Sequence, residues 1–235
     1  MTELTCIRGL PVEIVYGLPY ECLGMSGKPV MTSSMETEPY IKGGFSEYMY
    51  ILPGTYVWQV PKDMPSSVAS LLDPMAVAMR AVELAWRSPG VLEDVPNADC
   101  ILNYHTQSLE ERKEIIGSYT GGAGADVVFQ CVGNGRAFRD GIELMRSVGT
   151  LVEVGNIAST SPIEFDPARD LCSKHATYIG MSVNTPMAFN KAFHMLCKYK
   201  ELHLEKLLTN RCTLDTVLET MMNSSDPNYI KGWVD

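Results

Sequence analysis

No apolar run in this chain approaches the roughly 18 to 20 residues needed to cross a bilayer, and its first ten residues, MTELTCIRGL, carry an acid early and lack a secretory-signal pattern. No membrane partner is therefore expected, and a cytoplasmic location is. No C-x-x-C pair occurs among the seven cysteines, Cys6, Cys22, Cys100, Cys131, Cys172, Cys197 and Cys212. Their odd number and scatter fit reduced thiols better than a disulfide framework. Basic residues are scarce: 19 Lys and Arg stand against 28 Asp and Glu, a formal charge of −9. Without a basic stripe to meet phosphates, no nucleic-acid partner is expected. Low-complexity tracts and internal repeats are also missing. What remains is globular, with 46% hydrophobic residues in a chain of 235, enough for one large domain or two modest ones.

The most informative stretch is Gly121 to Gly155, GGAGADVVFQCVGNGRAFRDGIELMRSVGTLVEVG. Ala125 to Cys131 is a short apolar run bounded by turn residues, Ala137 to Met145 has helical spacing, and Leu151 to Val154 is a second run after Gly149. A continuous Val-rich run between glycines suits a strand buried on both faces, as in parallel sheets covered by helices. The stretch reads as one βαβ unit of a doubly wound sheet, whose ligands bind beyond the carboxyl ends of the strands. Those ends are Cys131-Val132-Gly133 and Val154-Gly155-Asn156.

Elsewhere, Val12 to Tyr16 resembles a strand in an otherwise irregular region up to residue 43. Gly44 to Ile51 alternates as an antiparallel strand does, and Tyr56 to Val60 is expected to pair nearby. Ser66 or Ser67 can cap a helix from Val68 to Trp86, which Pro74 should kink or divide near Asp73. Cys100 to Asn103 and Ile163 to Phe165 read as strands, as do Thr177 to Met181 and Tyr229 to Val234. Leu109 to Tyr119, Asp166 to His175, Ala188 to Lys200 and Leu214 to Met222 read as helices. None of His105, His175, His194 and His203 has a partner at metal-ligand spacing, and each reads as a surface or structural residue. Cys131 lacks a nearby His or acid in sequence and reads as a small buried hydrophobe.

Several segments, taken in order, resemble the zinc-type medium-chain alcohol and polyol dehydrogenases: GLPYEC (17–22), GGFSEYMYI (43–51), WQVPKDMPSSVASLLDPMAVAMRAV (58–82), TGGAGADVVFQCVGN (120–134) and VGTLVEVG (148–155). The resemblance implies an α/β fold, with an incomplete Rossmann-like parallel sheet and a reduced, β-rich (GroES-like) catalytic-domain remnant. The implied division is 1–67 for the remnant, 68–200 for the cofactor-binding domain and 201–235 returning to the remnant. The implied activity is hydride transfer between an alcohol or polyol and NAD or NADP, with zinc as the family's metal and a homodimer as its usual assembly. Val132, Gly133, Val154 and Gly155 match positions along the nicotinamide side of the cofactor. Asp73 matches a carboxylate or cysteine that can approach the metal.

The departures from the family are equally specific. A dinucleotide fingerprint needs G-x-G-x-x-G after a strand, inside a unit of about 30 residues. Between Gly90 and Cys100 there is no room for it, so the first Rossmann βαβ unit is expected to be missing. Gly133-Asn134-Gly135 matches only the start of the fingerprint and reads as a plain βα turn, because Phe138 stands where the last glycine belongs. Of the four cysteines of the family's structural zinc only Cys22 has a counterpart, and nothing in residues 1–16 matches its catalytic ligands. The alternative is a non-catalytic remnant acting as a binding or subunit-interaction protein.

Overall fold

The computed structural model describes residues 58–85, 98–156, 162–181, 184–226 and 228–234. The strands expected at Val12–Tyr16 and Gly44–Ile51 lie outside the described residues. The chain divides into two compact units, Met1–Arg80 with Val183–Asp235, and Ala81–Ser182. The division falls inside a helix, Leu72–Ala85, and the architecture is α/β. Among the described residues no helix is long and apolar enough to cross a membrane.

The unit 81–182 contains the βαβ stretch. Strand β1 (Ala125–Gln130) and strand β2 (Met145–Glu153) pair in parallel, and β3 (Thr177–Gly180) pairs in parallel with β2, giving the order β1-β2-β3. A crossover helix, Gly135–Leu144, joins β1 to β2. Leu151 and Val152 are both fully buried, yet they enter different cores. Leu151 packs with Ile142, Met145, Val128, Phe138 and Tyr178, whereas Val152 packs with Ala81, Ala85, Val127, Phe129 and Ile179. Successive strand residues point to opposite faces, so an unbroken apolar run marks a sheet covered on both sides.

The local chemistry of this unit is explicit. Helix Leu109–Tyr119 starts with a capping box: Ser108 Oγ accepts from Glu111 N at 3.2 Å, and Glu111 Oε2 accepts from Ser108 N at 2.7 Å. It is tied to the crossover helix by Arg112–Asp140 at 2.7 Å and Lys113–Glu143 at 3.3 Å. Asn134 caps the crossover helix by accepting from Arg136 N at 2.8 Å. Gly141 lets that helix approach the sheet, since a Cβ there would meet Leu151 and Val128 at 3.1 and 3.3 Å.

In the other unit, helix Leu72–Ala85 and its short predecessor Ser66–Ala69 bring Ala69, Leu71, Leu72 and Ala76 against Ala188, Phe189, Ala192 and Leu196. The latter four lie on helix Pro186–Lys198, which Thr185 caps by accepting from Ala188 N at 3.2 Å. Trp58 Nε1 donates to Asn190 at 3.2 Å. Strand β4 (Leu208–Cys212) pairs in parallel with β5 (Lys231–Val234).

Several expectations need correction. Residues 58–60 form no strand. Pro65, not Ser66 or Ser67, stands at the cap of the first helix, and no side chain caps it. The break in the helical run falls at Ser70–Leu71, and Pro74 sits in the first turn of the next helix, where its missing N–H has no intrahelical partner to lose. Cys100–Asn103 is not a strand: among the described residues no ladder receives it, and Ile101 is 89% exposed. Residues 162–166 are likewise irregular. The helix expected over Asp166–His175 is a single π-turn, Pro167–Cys172, capped by Asp166. The last helix starts at Val217, after a turn in which Thr216 Oγ1 accepts from Thr213 N. Strand β2 begins well before Leu151, and Val148 within it adopts φ +61° while donating its N–H to Lys174 O at 2.6 Å.

Candidate active site at the strand ends

Gln130, the last residue of β1, is a polar side chain only 4% exposed. Its Nε2 donates to Val132 O at 2.7 Å and Asn134 O at 3.2 Å, and its Oε1 accepts from Val132 N. One buried amide thus fixes the backbone of the whole turn Cys131–Asn134. Gln130 O in turn accepts from Val154 N at 2.8 Å and Gly155 N at 3.0 Å. The ends of β1 and β2 are therefore joined at Val154 and Gly155, while Gln130 holds Val132 within its own turn; with Gly133 these are the four positions expected to face a cofactor.

Gly155 is the tightest point of this arrangement. A Cβ there would stand 2.3 Å from Val132 N and 2.5 Å from Cys131 C, so any side chain would force the two backbones apart. Gly133 is next to it, with Gly155 O at 3.4 Å from its own would-be Cβ. Val132 is 59% exposed, which leaves an apolar side chain at the open end of the sheet. Val154 instead packs into the core with Ala81, Ala85 and Val152.

Glu153 and Cys131 flank the same edge. Glu153 Oε1 accepts from Asn156 N at 2.7 Å and closes the turn after β2, while Oε2 is buried without a partner among the described residues. Burial, with a contribution from the Glu153 carboxylate, pushes the Cys131 thiol up and keeps it protonated. Cys131 is nevertheless an exposed residue at the strand end, which corrects the expectation of a small buried hydrophobe.

Asp73 sits in the first turn of helix Leu72–Ala85, a favourable end for a carboxylate. Its partner is Asn184, whose Nδ2 lies 3.4 Å from Oδ1 and 3.5 Å from Asp73 O. Among the described residues no group of three His, Cys, Asp or Glu side chains could hold a metal ion. Cys22 lies outside the described residues. His105, His175, His194 and His203 are all exposed. His105 stacks on Tyr104 at 4.0 Å, and His203 meets Glu205 at 3.1 Å.

A cavity of about 520 Å³ lies elsewhere in the unit, lined by Arg136, Arg139, Glu143, Ile163, Glu164 and Arg169 among others. Two of its lining residues, Arg169 and Arg139, fork Asp170, a carboxylate whose side chain is 1% exposed. These hold its carboxyl far below the usual carboxylate range, and Asp166 N adds a bond at 2.9 Å. Arg139 also meets Glu143. Arg139, Glu143, Arg169 and Asp170 neutralise one another and read as structural.

Sequence reasoning missed Gln130, Glu153 and Asn184. The first two had a signal, as polar residues closing apolar runs (VVFQC, LVEVG). Asn184 had none, because it meets Asp73 across 111 positions.

Comparison with known proteins gives a consistent placement. Residues 93–198 match the sequence model of the zinc-binding dehydrogenase family. A sorbitol dehydrogenase of Halalkalibacterium halodurans is 30% identical over 102 residues, covering 43% of this chain and 29% of that protein. The chain spans less than half the length of the curated relatives it matches. An alcohol dehydrogenase structure from Thermotoga maritima superposes with a TM-score of 0.75 at 23% identity, over 92% of this chain and 72% of that one. A zinc-binding dehydrogenase from Sinorhizobium meliloti, solved bound to NADP, superposes with a TM-score of 0.68 at 17% identity, over 82% and 66%. These likenesses establish the fold. The matched segment and the curated relatives, which include an L-threonine 3-dehydrogenase of Symbiobacterium thermophilum 24% identical over 176 residues, make the chain similar to zinc-binding dehydrogenases.

Proposed function

We propose that the ends of β1 and β2 receive the nicotinamide half of NAD or NADP, and that the chain takes part in hydride transfer between an alcohol or polyol and that cofactor. The observation that carries this is the contact at Gly155, where the two strand ends approach so closely that no Cβ fits. Such an approach keeps backbone, not side chains, at the carboxyl edge of a parallel sheet, where ligands of this architecture bind. Val132, Gly133, Val154 and Gly155 would lie along the ring and its ribose, and the bound nicotinamide would supply the hydride acceptor or donor. The unit 81–182 is then the cofactor side of the molecule, within the wider 68–200 segment. The NADP-bound relative from S. meliloti supports the choice of ligand class.

The described residues do not fit zinc. A catalytic zinc takes three protein ligands, and Asp73 has only Asn184 as its side-chain partner. A cytoplasmic homodimer completes the reading. The dimer is supported by the outer edge of β3, which has a strand neighbour on one side only among the described residues.

A second reading, a non-catalytic protein that binds a partner subunit, is favoured by the other edge. Among the described residues strand β1 also has one neighbour, and an open edge invites pairing with another chain. One experiment separates the two. The purified chain is sized and titrated with NADH and NADPH, following nicotinamide fluorescence and metal content together. Saturable binding that disappears in Gly155→Val supports the cofactor site; a folded, assembled protein that binds neither nucleotide refutes it.

A further inference from the structure

The cavity of about 520 Å³ lies wholly within the unit 81–182, and most of its charged wall is already spent. Arg139 and Arg169 fork Asp170, and Glu143 meets Arg139 and Lys113, so these groups hold one another in place. Arg136 and Glu164 are the exceptions. Both line the cavity, both are exposed, and neither side chain makes a hydrogen bond or ion pair among the described residues. None of Val132, Gly133, Val154 and Gly155 lines this space, which sets it apart from the strand-end site.

Arg136 does not serve its own helix. It lies in the first turn of Gly135–Leu144, where a cation opposes the helix dipole and no acid of that turn offsets it. Its guanidinium presents a planar fork that matches a carboxylate bidentately. Glu164 brings the opposite charge from the irregular segment that precedes the Pro167–Cys172 turn. Beside it, Ile163 is half-buried against the core of Ile142, Met145 and Leu151, and with Pro162 it gives the cavity an apolar stretch. The space thus offers one unspent cation, one unspent anion and an apolar wall, inside a frame of charges that are already cross-linked.

We propose that this cavity binds a small aliphatic α-amino acid as its zwitterion, with the carboxylate on Arg136, the ammonium on Glu164 and the side chain against Pro162 and Ile163. The size agrees. A sphere of the cavity's volume is about 10 Å across, within the range of small-molecule sites. From guanidinium carbon to glutamate carboxyl carbon, a bound α-amino acid with a charge-assisted hydrogen bond at each end spans roughly 8–10 Å. A phosphate dianion would bring its second charge toward Glu143 and Glu164. A diamine would meet Arg136, and a neutral polyol would use neither charge. This site goes beyond the cofactor reading and does not rest on it; binding requires neither nicotinamide nor turnover.

The test is calorimetric titration of the full chain at low ionic strength, without nicotinamide, with L-valine, 3-methylbutanoate, which lacks the ammonium, and 2-methylpropan-1-amine, which lacks the carboxylate. Unmodified protein should bind valine about fivefold or more tightly than either analogue, since each leaves one charge of the site unmatched. Arg136→Gln should weaken valine and 3-methylbutanoate by about fivefold and leave the amine unchanged, whereas Glu164→Gln should weaken valine and the amine and leave 3-methylbutanoate unchanged. Both positions are exposed, so neither substitution threatens the fold. A separate NADPH titration of the same samples reports the strand-end site, so either reading can fail alone. Valine no tighter than both analogues, valine binding untouched by either substitution, inorganic phosphate binding more tightly than valine, or no valine binding at about 10 mM, far weaker than a dedicated site, would each overturn the proposal.

Discussion

Replacing Asp170 by asparagine keeps the shape of the most enclosed carboxylate described and removes its charge. The carboxylate accepts from Arg139 Nη1 and Nη2 at 2.6 and 3.1 Å, from Arg169 Nε and Nη2 at 2.7 and 3.1 Å, and from Asp166 N at 2.9 Å. An amide offers one oxygen, and its N–H groups would face guanidinium N–H groups, so about half of these bonds cannot form. Removing one member of a buried ion pair costs about 3–5 kcal/mol. Here Arg139 keeps Glu143, and the Arg169 side chain is 54% exposed. The expected loss at pH 7 is therefore about 2–3 kcal/mol, or roughly 4–12 °C in Tm for a chain of this size. The pH dependence follows from the depressed carboxyl. Between its folded value and the ordinary aspartate value of about 3.9, the unfolded chain binds the proton and the folded one does not, so stability rises with pH. The contribution is complete above about pH 5 and is lost as pH falls through the range below 4. Thermal unfolding followed by circular dichroism, at pH 7 and in steps from pH 5 to pH 3, reads both effects. A Tm shift under about 1 °C at pH 7, or acid sensitivity as steep in Asp170→Asn as in the parent, would refute the reasoning.

Leu151→Ala should cost about 2–5 kcal/mol in urea unfolding, because the residue is fully buried between the crossover helix and the sheet. Ile101→Ala, at a site 89% exposed, should stay within about 0.5 kcal/mol; a comparable loss at both would show that the sheet core is misplaced. Ser108→Ala should destabilise helix Leu109–Tyr119 by about 1 kcal/mol, seen as faster amide exchange in its first turn. Bonds from Ser108, the backbone N–H first and then the hydroxyl, hold the Glu111 carboxyl below its usual value, so the cap should weaken as that carboxyl is protonated in acid. Exchange in the first turn that ignores both the substitution and the pH would remove the capping box from the account.

The βαβ unit was legible because its signals are local. Ala125–Gln130, the Asn134-capped helix and the run ending at Glu153 each announce themselves by composition and punctuation, and they are the elements that place Val132, Gly133, Val154 and Gly155 at one sheet end. Helices Leu109–Tyr119 and Pro186–Lys198 were legible for the same reason, through the helical spacing of their own residues, while their Ser108 and Thr185 caps came from the structure. Cys100–Asn103 has equally good strand residues, but a strand exists only where a neighbour takes its hydrogen bonds. Conversely, Leu208–Cys212 has little strand character of its own and forms one because Lys231–Val234 lies beside it.

The sequence by itself determined the α/β class, the likeness to zinc-binding dehydrogenases and the positions of the strand ends, since period, turn residues and collinear motifs are written along the chain. Only the tertiary structure decided how those ends meet. The Gly155 contact with Val132 joins positions 23 residues apart, the two guanidinium groups on Asp170 come from different elements, and Asn184 reaches Asp73 across 111 residues. Such contacts depend on packing distances and on which buried polar atoms find partners. Those quantities exist only once the chain is folded.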